Sequence, residues 1–256
     1  MNRITYTSNN VILHCKDWKA RKMDKKLLFN DIKSCRKFLD TLLVTLDQEL
    51  ATPSECRLET HGKAEIYIIE DFLTDAECNA LIPVIKSETR KGGVTNAANT
   101  DDDYRTAQVH DFQGTPWVQQ DIAKHMGIHT NYCEPLQGQV YGVGQEFKEH
   151  SDYFDATRRE EYNHFARQQG GQRTWTFMVY LTDVEKGGET EFQHLSLSIK
   201  PIKGMALVWN NLYTDGSNNP DTRHSSKPVI EGEKIIITQW FRTHIWERAT
   251  TPEPTE

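Results

Sequence analysis

Five short runs in the second half of the chain set most of what it can fold into. They are QVYGV (139–143), TWTFMVYLTDV (174–184), SLSIKP (196–201), MALVWNN (205–211) and KIIITQWFR (234–242). Each is rich in Val, Ile, Thr and aromatic residues, and Gly, Asn, Asp or Pro separates one from the next. Such residues fit a pleated, half-buried surface, and the separators make turns. Many short strands punctuated in this way predict a sandwich or a barrel.

The first half reads differently. Over 24–50, apolar side chains recur at Leu28, Ile32, Cys35, Leu39, Leu42 and Leu46. That spacing is one face of an amphipathic helix, expected to pack on the rest of the protein, and Pro53 helps to close it. Ile66, Ile68 and Ile69 predict a strand. Thr74 or Asp75 can then cap a helix carrying Cys78, Leu81 and Ile82. A second helix is expected from near Pro116. Between them, 91–105 (KGGVTNAANTDDDYR) is polar and without periodicity, which predicts a long loop. The fold class expected is α+β, with helices first and strands after.

Charge and cysteine usage narrow the function. A net charge of −7 gives no basic footprint for a nucleic-acid partner. Cys15, Cys35, Cys56, Cys78 and Cys133 are odd in number, and no two have CxxC spacing. Reduced thiols in a cytoplasmic protein are therefore expected. No apolar run is long enough for a membrane helix. The first residues, MNRITYTSNNVILHCKDWKARK, show no signal-peptide pattern. Nothing in the sequence sets an oligomeric state.

One constellation carries chemistry. HSDYFD (150–155) places His150 and Asp152 two positions apart. Residues i and i+2 of a strand share a face, so an imidazole and a carboxylate can project side by side. A third ligand would complete a 2-His-1-carboxylate triad, the arrangement that leaves positions open on Fe(II). His224 is the candidate, and Lys234 follows it by ten residues. A cation there can hold the far carboxylate of a dicarboxylate cosubstrate. Alone, the HxD pattern is weak: a loop histidine and a solvated aspartate read the same way, and zinc accepts the same ligand types.

Longer stretches carry a resemblance. IYIIEDFLTDAECNALI, RTA (105–107), LQGQVYGVGQEFKEHSDYFD, GGQRTWTFMVYLTDVEKGGETEFQ, IKPIKGMALVWNN and HSSKPVIEGEKIIITQWFR lie in order between 66 and 242. They resemble the prolyl 4-hydroxylases, Fe(II)- and 2-oxoglutarate-dependent oxygenases. The resemblance implies a double-stranded β-helix (jelly roll) with supporting N-terminal helices. It implies His150, Asp152 and His224 as iron ligands and Lys234 on the 5-carboxylate of 2-oxoglutarate, with Thr190 assisting and Tyr141 lining the pocket. Arg173 and Trp240 match positions near the peptide substrate, and 91–105 matches a mobile loop that closes over it. The cofactors implied are Fe(II), 2-oxoglutarate and O2, with ascorbate as reductant. The partner implied is a peptide or protein that contains proline, which would be 4-hydroxylated as 2-oxoglutarate becomes succinate and CO2.

The plainer readings are a core role for Tyr141 and Trp240, strand propensity for Thr190 and a solvated charge for Arg173. The chain also departs from the family pattern. Phe147 replaces a common tyrosine, Gln193 a proline and Lys227 a cysteine, and Arg242 stands where some relatives place a histidine. These changes spare the ligands and bear on the substrate. Rival functions are an oxygenase of the same fold acting on a non-prolyl substrate, an inactive peptide-binding module, and a zinc hydrolase. The expected organisation is an N-terminal helical extension over 1–60, the oxygenase domain over 61–248 and a short tail over 249–256.

Overall fold

A computed structural model describes residues 60, 62–92, 104–159, 162–167 and 170–246. The helix expected over 24–50, nearly all of the 1–60 extension, the tail over 249–256 and the middle of the 91–105 loop lie outside the described residues.

In chain order the elements are β1 (Ile66–Ile69), α1 (Asp75–Ser87), β2 (Arg90–Lys91), β3 (Gln108–Asp111), α2 (Trp117–Met126), β4 (Gln137–Tyr141) and β5 (Phe147–His150). After a helical turn at Tyr162–Arg167 come β6 (Arg173–Tyr180), β7 (Lys186–Gly187), β8 (Thr190–Phe192), β9 (Leu197–Ile199) and β10 (Ala206–Asn210). The chain then forms β11 (His224–Ser226), β12 (Val229–Glu231) and β13 (Lys234–Arg242).

One antiparallel sheet has seven strands in the order β1-β10-β6-β13-β4-β3-β2, and a second has four, β5-β11-β8-β9. Between them lies an apolar core that includes Met178, Tyr180, Phe192, Ile199, Leu207 and Ile236. Two antiparallel sheets closed over one core form the expected jelly roll.

The longest strands are buried on both faces, which explains their unbroken apolar runs. In β6, Trp175, Phe177 and Val179 join the layer under the helices, whereas Met178 and Tyr180 face the core between the sheets. In β13, Ile235, Ile237 and Phe241 face the helices and Ile236 faces inward. The two-residue period of a strand sorts them. It also places Lys234, Thr238 and Trp240 on the inward side, where they line a pocket.

The helices brace the outer face. Thr74 caps α1: its hydroxyl accepts from Glu77 N at 3.3 Å, and Thr74 N donates to Glu77 Oε2 at 2.7 Å. This capping box fixes where the helix starts. Leu81 and Ile85 of α1 and Val118 and Ile122 of α2 enter the outer core. Gly138 of β4 allows the close approach, since a Cβ there would lie 2.7 Å from Ile85 Cγ1. α2 begins after Pro116 and ends at Gly127, whose φ of 66° is the left-handed conformation that glycine adopts readily.

The short strands are only partly legible in the sequence, which allows a strand at His150 and at Thr190 without marking its bounds. FKEH, TEF and HSS form β5, β8 and β11 although none shows a strand pattern in sequence. Cross-strand pairing makes them. The described end of the 91–105 loop joins them, for Lys148 N donates to Tyr104 O and Thr106 N donates to Glu146 O.

Candidate metal centre and cosubstrate pocket

The antiparallel pairing of β5 with β11 places His150 directly opposite His224. Neighbouring strands lie about 4.8 Å apart, so the two imidazoles become side-by-side neighbours. Their ring centroids are 4.3 Å apart. Asp152 follows two residues after the end of β5, at the bend where the strand stops. The ligand atoms of His150, Asp152 and His224 all lie within 4.8 Å of one another.

Each imidazole is oriented from behind. His150 Nδ1 donates to Lys148 O at 2.9 Å, and His224 Nδ1 donates to Thr222 O at 3.0 Å. A carbonyl only accepts, so both Nδ1 atoms carry the proton and both Nε2 lone pairs are free toward Asp152. His150 Nε2 lies 3.8 Å from Asp152 Oδ1, and His224 Nε2 lies 4.0 Å from Asp152 Oδ2. Burial, aided by His224, pushes the His150 pKa down to about 3. Burial alone would raise Asp152, but the imidazoles of His224 and His150, Arg173 and the Thr176 hydroxyl outweigh it and hold the carboxyl below its ordinary range. The result is a neutral His150 imidazole and an Asp152 carboxylate with the His224 ring beside them, a donor set that suits divalent iron and leaves part of its coordination sphere open.

Phe147 completes the first side of the site. Its ring stacks on His150 with centroids 3.6 Å apart and planes 15° apart. A tyrosine at this position would present a hydroxyl; here the contact is a bare aromatic face.

Lys234 lies in the same pocket and is 1% exposed. Nζ donates to Ser226 Oγ at 2.8 Å and to Thr190 Oγ1 at 3.4 Å. The rings of Tyr141 and Tyr180 lie 5.4 Å and 5.6 Å from it. Strand register assembles this group: Tyr141 pairs with Lys234 across β4 and β13, and Thr190 pairs with Ser226 across β8 and β11. Among the described residues Lys234 makes no ion pair. Burial pushes its pKa down to about 7, with Glu189 opposing. A buried ammonium held only by hydroxyls and aromatic faces fits the carboxylate of a ligand.

Tyr141 Oη donates to Gln139 Oε1 at 2.8 Å, and burial pushes the phenol up to about 12. Tyr180 Oη donates to Thr190 Oγ1 at 2.7 Å and Lys234 Nζ donates to the same oxygen, which leaves that hydroxyl's own proton for a ligand in the pocket. The pocket joins the triad to Lys234, with Met178 and Trp240 among its walls.

Arg173 and Trp240 also come together, with a twist that the sequence hides. The Arg173 guanidinium lies 4.1 Å from the Trp240 ring centroid. It is also held in a fork by Glu134, Nε to Oε1 at 2.5 Å and Nη2 to Oε2 at 2.7 Å. Arg242 Nε lies 3.0 Å from the same Oε1 and is 1% exposed, so its side chain supports this cluster from inside. Glu134, Thr176 and Gln139 carry no signal in the sequence; Ser226 carries one, since it stands two residues after His224 on one strand.

Comparisons with known proteins point to one family. Residues 136–242 match the model of the 2OG-Fe(II) oxygenase superfamily. Prolyl 4-hydroxylase 2 of Arabidopsis thaliana is 30% identical over 242 residues, covering 82% of this chain and 78% of that protein. The human prolyl 4-hydroxylase subunit alpha-1 is 30% identical over 187 residues, and the match spans 34% of its length. Among solved structures, the viral collagen prolyl hydroxylase of Paramecium Bursaria Chlorella virus-1, in its 2OG complex, superposes with a TM-score of 0.51 at 27% identity. That alignment covers 69% of this chain and 95% of the viral one.

Proposed function

This chain belongs to the prolyl 4-hydroxylase family of Fe(II)/2-oxoglutarate oxygenases, and from that premise we propose how its residues divide the work. His150, Asp152 and His224 hold Fe(II). Lys234, with the hydroxyls of Thr190 and Ser226, holds the far carboxylate of 2-oxoglutarate, while Tyr141 closes that end. When bound, Fe(II), 2-oxoglutarate and O2 supply the oxidising chemistry, which converts 2-oxoglutarate to succinate and CO2 and places a hydroxyl on C4 of a prolyl residue. Ascorbate serves as the reductant that keeps the iron ferrous.

The chain's own groups position and exclude. The two Nδ1 bonds to backbone carbonyls fix the imidazole faces before metal arrives, which lowers the ordering cost of binding. Phe147, Met178 and Trp240 keep water from the pocket walls. Arg173, pinned by Glu134, holds Trp240 in place at the side where a peptide would lie. The substrate is a peptide or protein segment with proline. The site of action is the cytoplasm, a reading supported by the unbridged, buried Cys78 and Cys133.

One observation carries this reading: a His-Asp-His cluster and a buried lysine with no ion pair among the described residues share one pocket. The test is turnover of 2-oxoglutarate to succinate with Fe(II) and ascorbate, with and without a proline-rich peptide. Stimulation by the peptide, with a hydroxylated product absent from Asp152→Ala, is expected. Iron-dependent turnover that ignores the peptide would reopen the substrate, and absence of turnover at any iron loading would overturn the enzyme reading.

A further inference from the structure

The pocket wall behind Asp152 contains a closed chain of side-chain contacts. Trp209 Nε1 donates to Asn211 Oδ1 at 2.9 Å. Asn211 Nδ2 donates to Thr176 Oγ1 at 2.9 Å. Thr176 Oγ1 donates to Asp152 Oδ2 at 2.7 Å. All four residues are buried, with Thr176 and Asn211 both at 0% exposure. The chain then returns to the metal centre, because the Trp209 ring meets the His224 ring edge-on with centroids 4.7 Å apart.

The direction of these bonds has a chemical consequence. Thr176 has one hydroxyl proton. Asn211 occupies a lone pair of Oγ1, so that proton is directed at Asp152. An oxygen that accepts a short bond from a buried donor is a poorer metal ligand than its twin. Oδ2 is the engaged oxygen; Oδ1, the one nearer His150, is left with its lone pairs available.

Resting on the iron-site reading above, we propose that Trp209, Asn211 and Thr176 form a positioning bracket that makes Asp152 a one-oxygen ligand through Oδ1. The bracket keeps Oδ2 off the metal and so preserves a coordination position for reactants. Trp209 ties two ligands to one rigid group, His224 by ring contact and Asp152 through the hydrogen-bond chain. These three are positioning residues: Thr176 bonds Asp152, Trp209 packs on His224, and Asn211 links the two. None of the three was singled out from the sequence, where they appear only as strand and turn residues.

The experiment uses the full chain loaded with Co(II) in place of Fe(II), reading the dissociation constant and the visible d–d absorption. Thr176→Val removes the donor at nearly constant volume; Thr176→Ser restores it. Thr174→Val is the control: Thr174 is another buried threonine of β6, but its hydroxyl donates to Phe241 O. Thr176→Val is expected to weaken Co(II) binding roughly 10- to 100-fold and to change the absorption band, as a second carboxylate oxygen reaches the metal. Thr176→Ser is expected to recover both, and Thr174→Val to leave both unchanged.

Unchanged affinity and an unchanged band in Thr176→Val would overturn the proposal. So would an equal loss in Thr174→Val, which would mark general packing damage. If Thr176→Val fails to fold, Trp209→Phe keeps the ring on His224 and deletes only the first donor; an unchanged band there overturns the proposal equally. Failure of the wild-type protein to bind Co(II) would instead sink the iron-site reading, and the bracket with it.

Discussion

Lys234, buried, and Arg173, half-buried, are two cations of one sheet, and the protein treats them in opposite ways. Arg173 is saturated: Glu134 grips it with two bonds, and its pKa is raised because that carboxylate outweighs the cost of burial. Lys234 has two hydroxyls and two aromatic faces, and burial brings its pKa down to about 7. A paired buried charge holds a fold together once formed, whereas an unpaired one weakens the fold until a ligand arrives. Burial alone therefore does not mark a functional cation. The absence of a protein carboxylate beside it does.

The largest effect that tests this contrast is on cosubstrate binding. Lys234→Met should weaken 2-oxoglutarate binding to the metal-loaded protein by about 2–5 kcal/mol, roughly 30-fold or more, measured by anaerobic calorimetry. The same variant should unfold at a temperature no lower than wild type without ligand, because it deletes a buried charge that has no ion-pair partner among the described residues and only the more distant Glu189 to favour it. A lower midpoint would break the comparison.

Arg173→Met should do the reverse. It leaves the Glu134 carboxylate buried with Arg242 as its remaining cation, so a loss of about 3 kcal/mol in denaturant unfolding is expected. Its effect on 2-oxoglutarate affinity should be smaller than that of Lys234→Met. An undiminished stability would mean that the fork is ornamental.

A pH series sharpens the contrast further. In the ligand-free fold Lys234 holds its proton only to about pH 7, against an ordinary value of 10.5. Between those values the unfolded chain binds more protons, so stability of the ligand-free protein should rise with pH across that window. Below about pH 7 both states are protonated and this gain is lost. Cosubstrate binding runs the other way, because the carboxylate needs the ammonium. Above pH 7 binding should take up a proton, and affinity should fall by up to about tenfold per pH unit. Calorimetry in two buffers of different ionisation enthalpy measures that uptake, and a zero result at pH 8 would contradict the depressed pKa.

The smallest effect concerns Tyr141. Tyr141→Phe keeps the ring beside Lys234 and deletes one hydrogen bond to Gln139. A loss of about 0.5–1.5 kcal/mol in 2-oxoglutarate affinity, roughly 2- to 10-fold, is expected in the same titration.

Some of this molecule was legible before its coordinates. The runs that became β6, β10 and β13 read as strands because both of their faces are buried and their residue types suit a pleated sheet. Thr74 and Pro116 marked helix starts because caps act within four residues of sequence. His150, Asp152 and His224 were legible as ligand types. β5, β8 and β11 were not, since strands of three or four residues with polar members carry no periodicity to read. Glu134 and Asn211 were invisible for a related reason: each acts on a partner more than thirty positions away.

What the sequence alone determined is therefore local or periodic: the apolar strands, the helix caps, the loops and the inventory of donors in HSDYFD, in HSS and at Lys234. What only the tertiary structure decided is pairing. Register across β5 and β11 set two imidazoles side by side, register across β4 and β13 put Tyr141 beside Lys234, and folding paired Arg173 with Glu134 while Lys234 makes no ion pair among the described residues. Charge is written into each residue, but whether a buried charge is satisfied depends on neighbours that only long-range strand pairing delivers.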